Sequence, residues 1–157
     1  MFKSKKMQII YIILAIAIIV IGFVFFGAKK RFGSVDFPNH TLSIKVELAQ
    51  NLGQQVRGLM FRDSLASDQG MLFIFSGEAN RTFWMKNVKF PLDLIFISQS
   101  GEIKEVKENF ATCQGGGKCE NYSSANPAKY VLEVNAGFVQ NHQIKIGESV
   151  NITINSK

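Results

Sequence analysis

Residues 9–26 form an unbroken run of eighteen residues without a charge, with Lys3, Lys5 and Lys6 before it and Lys29, Lys30 and Arg31 after it. At a rise of about 1.5 Å per residue a helix of this length is roughly 27 Å long, close to the ~30 Å hydrocarbon core of a bilayer. A secretory signal has a shorter apolar core and leaves through small residues, whereas this run exits through Phe25-Phe26-Gly27-Ala28. The expected organisation is a short basic tail over 1–8, a retained transmembrane helix over 9–26, a linker over 27–37 and one domain over 38–155. Three basic residues on each flank leave the positive-inside rule close to balance. The minimal N-terminal tail favours a single pass at the cell membrane with the domain on the extracytoplasmic side.

Two cysteines, Cys113 and Cys119, enclose Gln-Gly-Gly-Gly-Lys, a turn flexible enough to bring both thiols together. A disulfide is the expected outcome in an oxidising compartment, and this agrees with the outward orientation. The spacing is not C-x-x-C, so a loop staple is expected rather than a redox-active pair.

The formal charge of +6 suggests a nucleic-acid partner until it is located. Six of the eighteen basic residues flank the apolar run, and the remaining twelve match the twelve acidic residues, all of which lie beyond residue 31. The domain is neutral on balance and carries no basic stripe, so nucleic acid is not expected as a partner. The basic flanks suit anionic lipid headgroups instead.

Within the domain, residues 41–48 alternate apolar and polar positions as a half-buried strand does. Asn51 with Gln54 reads as a capped helix start, Leu52, Val56 and Leu59 follow at helical spacing, and Gly58 ends the helix. Further strands are expected over 71–75, 82–88, 92–97, 102–106, 130–134 and 150–154, with a short helix over 137–142. Short strands with Gly-rich turns argue a mainly β sandwich or barrel with one or two short helices.

The richest chemistry lies in residues 81–93, which hold the only Trp, a Lys, an amide and a carboxylate among apolar residues. Asp93, between Leu92 and Leu94, must be paired or neutralised; Arg62 and Lys86 are the preferred partners, with Arg57 and Arg81 behind them. Either Trp84 is core and Asp93 an internal tie, or Trp84 is a stacking platform in a cleft with Lys86, Asn87 and Asp93 as polar contacts. In the second case Lys86→Ala costs ligand affinity; in the first it breaks a buried pair.

Gly58-Leu59-Met60-Phe61-Arg62, Gly70-Met71-Leu72-Phe73, Phe83-Trp84-Met85-Lys86-Asn87, Pro91-Leu92-Asp93 and Val131-Leu132-Glu133 with Gly137 occur in that order. Together they resemble the domain-of-unknown-function family 192, also called uncharacterised protein family 0127, over about residues 40–154. The resemblance implies a compact β domain of sandwich or jelly-roll character, often behind an N-terminal signal or membrane segment. It supplies no activity. It draws attention to Arg62, Trp84, Lys86, Asn87, Asp93 and Glu133 as ligand-binding candidates.

The expected function is a membrane-anchored, extracytoplasmic module for a small polar ligand, carbohydrate included. The alternatives are a structural or protein-interaction module of the envelope and a hydrolase using Asp93 and Glu133 as paired carboxylates. No hydrolase, metalloprotease or phosphate-loop motif is present, and the chain leans away from an enzyme. Met60, Met71 and Met85 raise copper, but each sits in an apolar run, and His40 and His142 show no ligand spacing. No metal or cofactor is expected. The sequons at Asn80, Asn121 and Asn151 are read as chance.

Overall fold

The computed structural model describes residues 5–26, 30–113 and 119–155, with side chains of the N-terminal helix described over 7–18. That helix, α1 (Lys5–Phe26), is the apolar run, and its described side chains are all exposed. Among the described residues no helix is long and apolar enough to cross a membrane. The expected span over 9–26 lies in part outside them, because the side chains at 19–26 are not among those described.

The next element begins earlier than expected. β1 (Phe32–Phe37) lies inside the segment read as a linker and pairs antiparallel with β2 (Leu42–Ala49), register Val35 to Ile44. Its buried positions, Gly33, Val35 and Phe37, alternate with more exposed ones, which is the pattern of a strand covered on one face. α2 (Leu52–Arg57) follows, started by a complete capping box between Asn51 and Gln54 and ended at Gly58, φ +46°. Its inward position is filled by Gln55, whose Nε2 donates to the Ile74 carbonyl at 2.9 Å. Leu52 and Val56, read with Leu59 at helical spacing, therefore face out, 76% and 47% exposed, while Leu59 beyond the helix end is buried.

β3 (Gln69–Ala79) returns parallel to β2, register Leu48 to Leu72, through the crossover made by α2 and residues 58–68. β4 (Thr82–Trp84) is shorter than the strand expected over 82–88. The chain leaves it in a turn in which Asn87 takes φ +56° and its carbonyl accepts from the Phe61 amide at 2.9 Å. β5 (Leu92–Ile97), β6 (Ile103–Phe110), β7 (Asn121–Ser123), β8 (Ala128–Asn135), α3 (Phe138–His142) and β9 (Asn151–Ile154) complete the domain. Every residue of β5 is buried, as a strand covered on both faces requires.

Seven strands form one sheet in the order β6-β5-β8-β3-β2-β1-β9, and β4 pairs with β7 as a separate ribbon. Next to the two edge strands, Glu102 bridges Ser149, and the Ile103 amide donates to the Glu148 carbonyl at 2.8 Å. The sheet thus curls until its edges meet at one end. Its inner face is packed by Val35, Ile44, Leu72, Ile95 and Leu132 and plugged by Phe138 and Val139 of α3. Its outer face carries Met71, Phe73, Leu94, Phe96 and Val131, covered by Leu59, Phe83, Met85 and Val88. The mainly β character with short helices is as expected. A sandwich of two comparable sheets is not what forms: one curled, mixed sheet with a parallel β2–β3 pair carries a small ribbon on its outside.

Candidate functional site

Asp93 is fully buried, and its partners are backbone amides rather than any of the four expected cations. Oδ1 accepts from the Asn109 N–H at 2.9 Å and Oδ2 from the Val139 N–H at 3.0 Å. It joins β5 to the far end of β6 and to the first turn of α3, and it is structural.

The register decides what Asp93 can act with. Asp93 pairs with Val134, and Leu94 pairs with Glu133. Opposed residues on neighbouring strands share a face and consecutive residues alternate, so Asp93 points to the inner face and Glu133 to the outer. The sheet separates the two carboxyls, and they cannot flank one glycosidic bond. The Asp93/Glu133 hydrolase pairing is corrected on that ground.

Glu133 has different company. The register runs Glu47 to Met71 to Glu133 across β2, β3 and β8, placing both glutamates on the outer face with Met71 between them. Arg62, on the loop after α2, donates from Nη2 to Glu47 Oε2 at 2.8 Å, and Lys30 reaches the same oxygen at 3.0 Å. Burial alone would raise the Glu47 carboxyl, but these two cations outweigh it and hold it below the usual carboxylate range. Burial acts unopposed on Glu133 except for the more remote Arg62 charge, and pushes it up to about 8. Its Oε2 is buried without a hydrogen-bond partner. At neutral pH one glutamate is therefore charged and the other holds its proton. Gly58 lies directly above: a Cβ there would stand 3.3 Å from the Phe73 ring and 3.8 Å from Glu133 Oε2, on a backbone that side chains rarely adopt.

Phe73 links this cluster to a groove. Its ring faces Gly58 on one side and lines, on the other, a cavity of about 330 Å³ with Phe75, Phe83, Trp84, Val56 and the polar Gln55, Thr82 and Asn121. Trp84 is 43% exposed, so the stacking-platform reading describes its position better than the core reading. Its neighbour Lys86 is exposed, with Nζ 5.3 Å from the Trp84 ring centroid, a cation–π contact rather than a buried pair. Lys86→Ala is accordingly expected to change the unfolding free energy by less than about 1 kcal/mol, measured by urea denaturation. A cost of several kcal/mol would contradict its exposed placement. Asn87 holds the turn between β4 and β5, its Nδ2 lying 3.9 Å from Met60 Sδ.

Of the six candidates, the fold brings Arg62 near Glu133 and Trp84 beside Lys86, leaves Asn87 in the turn between the two pairs, and sends Asp93 to the other face. Glu47 was not singled out in the sequence, and Gly58 was read only as a helix end and a motif position, although both are part of the cluster. Glu105 was also missed, and it lies apart from that cluster: its carboxylate gathers the Tyr122 hydroxyl at 2.6 Å and the Ala125 and Asn126 amides at 2.9 Å to shape the β7–β8 loop. Cys113 and Cys119 are disulfide-bonded, Cα atoms 5.3 Å apart. Among the described residues no group of three or more His, Cys, Asp or Glu could hold a metal ion. Met71 and Met85 are buried in the outer core, and His40 pairs with Glu148 at 2.8 Å.

The model of the DUF192 family, described as "Uncharacterized ACR", matches residues 35–152. Two solved structures are similar. One, from Sinorhizobium meliloti 1021 and described as a candidate transcription regulator, is 35% identical with a TM-score of 0.68, covering 80% of this chain and 94% of its own. The other, a protein of unknown function from Novosphingobium aromaticivorans DSM 12444, is 29% identical with a TM-score of 0.69, covering 80% and 87%. None of the curated proteins matches the chain.

Proposed function

The chain belongs to the DUF192 family, which carries no assigned activity, and from that footing we propose that it is a membrane-anchored, extracytoplasmic module that binds a small polar ligand of the carbohydrate class in the Trp84 groove. The half-exposed Trp84 at the mouth of an aromatic groove carries this reading. A sugar ring has an aliphatic face that packs on such a ring and hydroxyls that the Asn121 and Gln55 amides can meet; a mostly apolar cavity with few polar groups is the usual form of a small-molecule site. Anchoring through residues 9–26 is supported by the uncharged run and its basic flanks, and by an α1 whose described side chains are exposed. The Cys113–Cys119 disulfide supports the outward orientation. The similar structure described as a candidate transcription regulator lends this chain no such role, since the domain beyond residue 31 is neutral on balance and offers no electrostatic footprint for DNA.

Trp84 is the sole Trp of the chain, so its fluorescence reports this groove alone. Titration with a panel of neutral mono- and oligosaccharides is expected to give a saturable emission change for at least one class. Calorimetry on Trp84→Ala should then show affinity reduced on the order of tenfold or more, about 1.4 kcal/mol. A panel without any saturable response removes the reading and leaves the interaction module, for which the exposed Leu52 and Val56 speak.

A further inference from the structure

We infer that the exposed face of α2, together with Phe32 and Trp84, rests in the headgroup layer of the bilayer that holds the chain, so that lipid is the partner of this surface. The inference rests on the anchoring proposed above and not on the sugar-binding reading, with which it competes for Trp84.

Leu52 and Val56 stand one turn apart on the same side of α2, and Val56 and Trp84 line one groove. Phe32, 53% exposed, pairs with Glu47 and so lies on the outer face of the sheet, the face on which α2 sits. Large apolar side chains held in water at this density mark a surface that meets something.

The tether indicates what it meets. The Arg31 carbonyl accepts from the Leu48 amide at 2.9 Å, and Arg31 Nη1 donates to Gln50 Oε1 at 3.0 Å. The chain arriving from the apolar run is therefore pinned two residues before α2 begins. Between Phe26 and Arg31 lie five residue steps, at most about 18 Å of extended chain. If α1 ends at the membrane surface, Arg31 cannot stand further from that surface than this, whichever way the tether runs, and α2 begins two residues after the Gln50 that Arg31 holds. The charge around the patch matches its position. Lys29 and Arg31 are on the tether beside the Glu47-paired Lys30, and Lys86 lies over Trp84, cations that anionic headgroups attract. A Trp ring with a Lys beside it is also the pairing that settles at the boundary between water and acyl chains.

The test uses the full chain in nanodiscs with anionic lipid, made with acyl chains that are plain, brominated near the headgroup, or brominated near the bilayer centre. Trp84 emission is expected to be quenched by the shallow bromine and spared by the deep one. The Leu52→Asp/Val56→Asp double variant, changed only at exposed positions, should recover the unquenched emission while its circular dichroism and its retention in discs stay unchanged. Equal emission in plain and shallow-brominated discs, with the chain retained, overturns the docking and leaves the anchor standing. Two copies per disc with unquenched Trp84 overturns it in favour of self-association. A chain that elutes apart from the discs overturns the anchor and the docking together.

Discussion

Asp93→Ala is expected to lower the unfolding free energy by about 3–5 kcal/mol, a large share of the roughly 5–15 kcal/mol that holds a domain of this size folded. The side chain is fully buried and each carboxylate oxygen accepts one main-chain N–H. Both amides need it. Val139 lies in the first turn of α3, a helix whose N-cap, Gly137, offers no side-chain bond. Asp93 supplies from a neighbouring strand the acceptor that a capping Ser or Asp would supply locally. Asn109 takes φ +50° at the end of β6, where the pairing with β5 is irregular, and its amide is turned out of the ladder toward Asp93. Truncation leaves the Val139 donor buried and the Asn109 donor part-buried without their acceptor, at about 1–3 kcal/mol each, and adds a small void. Asp93→Asn keeps one oxygen but presents an N–H to the other amide, so it should fall between wild type and alanine. Urea denaturation with unchanged slope measures the difference. A loss under about 1 kcal/mol for the alanine variant would mean that the two amides find acceptors elsewhere and that Asp93 is not the tie.

Why this carboxylate could be found in the sequence but not its partners follows from their chemistry. An Asp between Leu92 and Leu94 announces a buried acid. Main-chain N–H groups are present at every non-proline residue and leave no trace in composition, so the sequence displays only counter-charges such as Arg62, Lys86, Arg57 and Arg81. β5 was legible to the residue because, Asp93 apart, it is an apolar run of the kind a strand covered on both faces requires. The start of α2 was legible because its capping box is written in Asn51 and Gln54 themselves. β1 was hidden: its inward positions include Gly33, and it follows directly on a basic segment that reads as a tether. The pairing of functional groups was the least visible. Glu47 occupies the outward position of an alternating strand, which by itself reads as solvent-exposed. Only the register across β2, β3 and β8 brings it into line with Glu133, and the same register carries Asp93 to the opposite face. Strand order and parity are tertiary facts, and a local pattern does not contain them.

The Glu133 carboxyl makes the stability of the fold depend on pH, in a direction opposite to that of most surface acids. Its folded value, about 8, stands above the ordinary 4.5, so the unfolded chain gives up this proton over a range in which the native protein keeps it. Below the unfolded value both states hold the proton and there is no cost. As pH rises toward 8 the unfolded state is progressively favoured, at about 1.4 kcal/mol per unit, reaching about 4–5 kcal/mol once the folded value is passed. Glu133→Gln keeps the shape and removes the titration. The variant should match wild type within about 1 kcal/mol near pH 4.5 and exceed it by about 4 kcal/mol near pH 8.5, the difference growing through the intervening range. Groups common to both proteins cancel in that comparison. Denaturation midpoints of the two proteins at half-unit steps of pH would measure it. Parallel curves would show that Glu133 is ionised in the fold, with Arg62 turned from Glu47 to serve it. In that case the two glutamates would carry equal charge, and the division between an ionised Glu47 and a proton-holding Glu133 behind the groove would be lost.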